Sequence, residues 1–130
     1  MAVKKVLLVD DEIDFVDLIS SRLESDGFRV KPAYDGEAAL EKVETDRPDI
    51  IILDIIMPKI NGFDVCRRLK ADKKYKDIPV IMLTAKFQPS DIKFSLEVGA
   101  DAYITKPFEP SVLLEKLREL LQKNRNPSKK

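Results

Sequence analysis

The chain predicts an α/β fold, a doubly wound five-stranded parallel sheet with five helices on its two faces. Three observations predict it. Five short apolar runs recur along the chain, each followed by a stretch whose apolar residues fall at helical spacing. Strands that alternate with helices need right-handed crossovers, which make the sheet parallel and cover both its faces. The run DIIILDIIMP at 49–58 is almost continuously apolar, as a strand buried on both sides must be.

The elements follow in order. KKVLLV (4–9) is the first strand, and Phe15, Val16, Ile19 and Leu23 mark a helix closed by Gly27. FRVKPA (28–33) is the second strand, with Pro32 placing it at an edge because proline cannot donate to a ladder. Asp35 caps a helix carrying Ala39, Leu40 and Val43. IIIL (50–53) is the third strand, and Asn61 caps a helix with Val65, Cys66 and Leu69 on one face. PVIMLT (79–84) is the fourth strand; Ile92, Leu96 and Val98 mark the fourth helix, ended by Gly99. AYIT (102–105) is the fifth strand, and Pro110 opens a last helix with Leu113, Leu114, Leu117, Leu120 and Leu121. Five such units match the flavodoxin-like strand order 2-1-3-4-5.

Composition excludes much chemistry. With 130 residues, 44% of them hydrophobic, the chain suits one folded domain. Lys+Arg and Asp+Glu both number 23, so no global basic field predicts direct contact with nucleic acid or membrane. No histidine is present, which removes triads, imidazole acid–base catalysis and His-based zinc sites. Cys66 is the one cysteine, so neither an internal disulfide nor a multi-thiolate metal site can form. No signal-like start and no long apolar run appear, and a cytoplasmic protein is expected.

In a doubly wound fold, ligands bind beyond the carboxyl ends of the strands. The first strand ends in Asp10 and Asp11, the third in Asp54, the fourth in Thr84, and the fifth runs into Lys106-Pro107. Singly, each has a plain reading: a helix cap, a β-branched strand residue, a surface cation. Together they place three carboxylates, a hydroxyl and an ammonium on one edge. Carboxylates that close repel unless a cation intervenes. Oxygen donors without histidine or cysteine favour a hard ion, Mg²⁺ or alternatively Mn²⁺, which is held by one or two carboxylates plus phosphate oxygens. Lys106 and Thr84 would serve the remaining oxygens of a phosphoryl group.

These residues resemble the response-regulator receiver domains of two-component signalling over about residues 3–122. The family's acidic pair, phosphoacceptor, switch Ser/Thr and Lys-Pro correspond to Asp10 and Asp11, Asp54, Thr84, and Lys106-Pro107. DIIMPKING adds Met57, Pro58 and Gly62, and LTA (83–85), Tyr103 and KPF (106–108) also match. The resemblance implies that Asp54 accepts a phosphoryl group from a phosphohistidine on a sensor histidine kinase or phosphotransfer protein. It implies that Asp11, Asp54 and the Ile56 backbone carbonyl ligate the metal, with Asp10 acting through water. Lys106 would pair with Asp54 or its phosphoryl group, and the Lys106–Pro107 bond would be cis. Thr84 would move towards the phosphoryl oxygen while Tyr103 turns inward. The face of helix four, strand five and helix five would then change for a downstream protein, the chain being a monomer or a phosphorylation-dependent dimer. Ile56 and Lys86 would flank the path of hydrolytic water and slow loss of the phosphoryl group.

Rival readings fare worse. A flavodoxin would want a Ser/Thr/Gly-rich loop after the first strand, where DDEID stands. The four glycines form neither a P-loop nor a GxGxxG. A haloacid-dehalogenase-type phosphatase would want a second Asp at Ile56. The remaining alternative is a receiver-like interaction module that is never phosphorylated. The expected protein is a switch that catalyses its own modification and dephosphorylation rather than an enzyme. QKNRNPSKK (122–130) holds four cations and no acid, and residues 123–130 are expected to be a basic polar tail or linker stump. The chain is then a stand-alone regulator or an N-terminal domain cut from a longer one.

Overall fold

The computed structural model describes residues 3–57, 59–84 and 89–124, leaving out the side chains of 84, 89–92, 123 and 124. Five strands, β1 (Lys5–Val9), β2 (Arg29–Ala33), β3 (Ile50–Asp54), β4 (Val80–Thr84) and β5 (Ala102–Thr105), alternate with α1 (Ile13–Ser25), α2 (Gly36–Thr45), α3 (Gly62–Ala71), α4 (Pro89–Glu97) and α5 (Pro110–Asn124). All strand pairs are parallel and the order is β2-β1-β3-β4-β5. Pro32 lies on the edge strand β2, where its missing N–H is harmless.

The pleat sorts the core into two layers. Leu7, Val9, Ile51, Leu53, Val80 and Met82 pack with residues of α2 and α3. Their alternates Val6, Leu8, Ile50, Ile52, Ile81 and Leu83 pack with residues of α1 and α5. Every residue of β3 is buried, which is why its sequence does not alternate in polarity. The predicted caps form: Asp35 accepts from the Ala38 N–H at 2.8 Å and Asn61 from the Asp64 N–H at 3.0 Å.

Two expectations need correction. Leu96, one of the apolar residues taken to mark the fourth helix, lies in that helix but is 62% exposed, and its neighbour Ser95 is buried. Leu96 and Val98 are two positions apart, which a helix cannot turn to one face, whereas Ser95 and Val98 are three apart. Tyr103, which the switch pairs with Thr84, is not level with it: it lies two residues before the end of β5. It pairs with Met82, and Thr84 pairs with Thr105. The basic stretch is also partly helical, since α5 runs to Asn124; residues 125–130 lie outside the described residues.

Candidate functional site

Register brings the strand ends level. Val9 is in register with both Ala33 and Leu53, Asp54 with Leu83, and Thr84 with Thr105. The chain leaves the sheet along one edge, and the Asp10 N–H still reaches the Ala33 carbonyl at 3.1 Å. One carboxylate oxygen from each of Asp10, Asp11 and Asp54 lies within 4.8 Å of the other two. Asp10 and Asp54 are buried, and Asp11 is exposed at the mouth.

Asp10 is used twice by the fold. Its Oδ1 accepts the Glu12 N–H at 3.0 Å, turning the chain into α1, and its Oδ2 accepts from Lys106 Nζ at 2.7 Å. Lys106 Nζ also lies 3.3 Å from Glu12 Oε1 and 3.6 Å from Asp54 Oδ2. Lys106 therefore pairs first with Asp10, and Asp54 is the longer contact. Asp54 Oδ1 accepts the Ile56 N–H at 3.3 Å. Burial, reinforced by the charge of Asp10, pushes the Asp54 carboxyl up to about 6, Asp11 adding to the rise while Lys106 and the Ile56 N–H oppose it. For Lys106, burial works against the charge, but the hydrogen bond to Asp10 and the charges of Asp54 and Asp10 prevail, so its ammonium titrates above the ordinary value.

The loop after β3 is shaped for close approach. A Cβ on Gly62 would collide with the Asp54 carbonyl oxygen, so only glycine lets α3 begin directly against the exit of β3. Its N–H donates to the Ile55 carbonyl at 2.8 Å. Lys59 in the same loop takes a left-handed φ of 68°, a strained choice for a side-chain-bearing residue beside a site. The Lys106–Pro107 peptide is cis.

The structure thus gathers Asp10, Asp11, Asp54 and Lys106 at one point, with the Ile56 backbone against Asp54 and its side chain 66% exposed. Tyr103 packs partly buried against the α2–α3 layer. Thr84 ends β4, but its side chain, like Pro58 and Lys86 altogether, lies outside the described residues. Two residues at the site escaped the sequence reading. Glu12 touches Lys106, and the Phe15 ring lies beneath its ammonium at 4.3 Å. Glu12 was readable as the third acid of VDDE; a contact between residues 15 and 106 leaves no sequence signal.

The donor set suits a small hard cation. The clustered side chains offer only carboxylate oxygens, with no nitrogen or sulfur donor among them, which is the donor chemistry of Mg²⁺ or Mn²⁺.

Comparison with known proteins gives a consistent picture. The family model described as "Response regulator receiver domain" matches residues 6–118. The chain is similar to the alkaline phosphatase synthesis transcriptional regulatory protein PhoP of Bacillus subtilis, 44% identical over 93% of this chain and 50% of that one. It spans about half the length of the curated relatives it matches. Among solved structures, a putative response regulator from Chloroflexus aurantiacus superposes with a TM-score of 0.89 at 32% identity, covering 93% of this chain and 99% of that one. Chemotaxis protein CheY4 of Vibrio cholerae does so with 0.87 at 37%, covering 92% and 99%. No helix among the described residues is long and apolar enough to cross a membrane. The chain belongs to the response regulator receiver domain family, the phosphoaspartyl switches of two-component signalling.

Proposed function

We propose that Asp54 is the phosphoacceptor of a Mg²⁺-dependent switch loaded by a histidine kinase or phosphotransfer protein. The observation that carries this reading is the Asp54 carboxylate at the exit of β3, held with two further carboxylates and one lysine ammonium. Bound Mg²⁺, or Mn²⁺ in its place, would neutralise the carboxylates and the oxygens of the incoming phosphoryl group.

The chain's own residues do the rest. At neutral pH a carboxyl titrating near 6 is mostly ionised, so Asp54 is available as a nucleophile. One Asp54 oxygen attacks phosphorus, the bond from phosphorus to the donor nitrogen breaks, and the departing imidazole keeps that electron pair. Phosphoryl transfer needs chiefly positioning and charge neutralisation. Lys106, already 3.6 Å from Asp54, supplies a fixed positive charge for the new phosphoryl oxygens. Asp11 and Asp54, with the Ile56 carbonyl, would hold the metal directly. Asp10, both of whose oxygens are engaged by Glu12 and Lys106, acts through water.

The product is a lasting state of the protein rather than a released product. Thr84 at the end of β4 would turn to the phosphoryl oxygen, and Tyr103, partly buried against the α2–α3 layer, would turn further inward into the space it leaves. The α4–β5–α5 face would change as a result. That face serves a downstream protein or a second copy, and the chain itself touches neither DNA nor membrane. Ile56, which offers no side-chain donor or acceptor, and Lys86, which cannot take a proton when charged, leave hydrolytic water poorly oriented and lengthen the lifetime. The receiver unit is residues 3–122, with α5 running on to Asn124 before a polar tail or linker. Incubation with Mg²⁺ and acetyl phosphate tests the proposal. Wild type should gain the mass of one phosphoryl group, Asp54→Asn none, and Asp11→Ala should need much more Mg²⁺. Undiminished gain in Asp54→Asn would defeat the assignment, and no gain in wild type would favour an interaction module.

A further inference from the structure

Lys106 is held by more than its carboxylates. An ammonium has three N–H donors, and Asp10, Glu12 and Asp54 lie 2.7, 3.3 and 3.6 Å from Nζ. The Phe15 ring, with its centroid 4.3 Å away, covers a further side of the cation. The negative face of an aromatic ring attracts a cation, most strongly where water is excluded. Lys106 is largely shielded, its side chain 14% exposed.

The ring is itself braced. Phe15 stands in the first turn of α1 and packs with Phe108 on the core layer that α1 and α5 share. The Phe108 ring meets it edge-on, with centroids 6.0 Å apart and planes at 90°. Phe108 follows Lys106 by two residues, so the segment that presents the ammonium also locks the ring beneath it. Every carboxylate partner changes its pull when a metal or phosphoryl group arrives, but the ring does not.

From this geometry we infer that Phe15 is a positioning residue for phosphoryl transfer, holding the Lys106 ammonium between Asp10 and Asp54 by a cation–π contact. The inference rests on Asp54 being the phosphoacceptor, and it adds a part that no charged or polar residue of the site supplies.

The test replaces Phe15 with phenylalanines of increasing fluorination, which keep the ring's shape while draining its negative face. Two quantities are read: the maximal rate of phosphorylation by acetyl phosphate at saturating Mg²⁺, and the ring-current shift of the Lys106 ε-methylene protons by NMR. The rate should fall stepwise, roughly tenfold across the series, while the melting midpoint stays level. The ε-methylene shift should move in step with the rate. Phe15→Trp, which preserves the contact, should retain most of the rate, and Phe15→Leu should lose it. Wild type that is phosphorylated normally, with a rate indifferent to fluorination, would overturn the role of Phe15 and leave Asp54 as phosphoacceptor. Wild type that takes no phosphoryl group would overturn both.

Discussion

Helices α4 and α5 pack on opposite faces of the sheet beside β5, and they are built differently. Helix α5 buries Leu113, Leu114, Leu117, Leu120 and Leu121 in the layer it shares with α1. Helix α4 leaves Leu96 exposed and Phe94 partly so, and it buries Ser95, whose Oγ has no hydrogen-bond partner among the described residues. Its visible ties are side-on: the Phe94 ring meets Phe63 of α3 at 4.5 Å, and the Arg67 guanidinium lies 5.6 Å from the Phe94 ring centroid. One side of β5 is sealed by an apolar stripe, and on the other the described side chains of α4, residues 93–97, bury a serine and leave Leu96 at the surface. Bistable elements come from the less stable parts of a fold. The proposed rearrangement of the α4–β5–α5 face would draw on α4 rather than on α5.

Substitutions can break this contrast. Leu117→Ala, at a residue with 0% exposure, should lower stability by about 2–5 kcal/mol in denaturant titration. A loss under 1 kcal/mol would show α5 to be no better anchored than α4.

The site should behave in the opposite way. The Asp54 carboxyl is raised from 3.8 to about 6, so the folded chain holds a proton that the unfolded chain has released. Its favourable contribution is complete below about pH 4 and disappears as pH rises through 6, leaving a cost at neutral pH. Metal-free Asp54→Asn should therefore be more stable than wild type by about 1–3 kcal/mol at pH 7, and the difference should vanish towards pH 4. Mg²⁺ should stabilise wild type and do so less in the variant. Melting curves across pH, with and without Mg²⁺, check both points.

Ser95→Ala sharpens the comparison at smaller scale. Removing a buried hydroxyl without a partner, and adding a better helix former, should raise stability by about 1 kcal/mol. A clear loss would mean that the hydroxyl anchors α4.

The smallest effect belongs to the far edge of the sheet. Hydrogen bonds from Lys5 and Lys31 hold the Asp46 carboxyl down at about 2. A depressed carboxyl contributes stability above its unfolded value near 3.8, and that contribution fades as pH falls towards 2. Asp46→Asn and wild type should melt alike at pH 2 and separate slightly by pH 4, as followed by circular dichroism. Both ion pairs lie at the solvent-accessible surface of the sheet edge, so a large separation would contradict the small weight assigned to them.

Much of this was legible in the sequence because it is local. The five strands, the caps Asp35 and Asn61 and the edge proline Pro32 each depend on a few neighbouring residues. The clustering of Asp10, Asp11, Asp54 and Lys106 was legible for another reason: a doubly wound sheet brings strand ends together whatever separates them in sequence. What escaped depends on register and on side-chain reach. Whether Tyr103 sits level with Thr84 is a matter of pairing, and Tyr103 faces Met82 while Thr84 faces Thr105. Hydrophobicity favoured Leu96 over Ser95, though helical spacing from Val98 favoured the serine. That Lys106 would take Asp10 before Asp54, and rest on Phe15, follows from where a long flexible stem finds room.

The central claim, that Asp54 at the end of a buried strand is the phosphoacceptor, meets its most direct test in chemical trapping. The chain is treated with acetyl phosphate and Mg²⁺, reduced with borohydride to convert an acyl phosphate to homoserine, and read by peptide mass spectrometry. The account predicts homoserine at position 54 and nowhere else. Homoserine at position 10 or 11, or aspartate retained at all three, would contradict it.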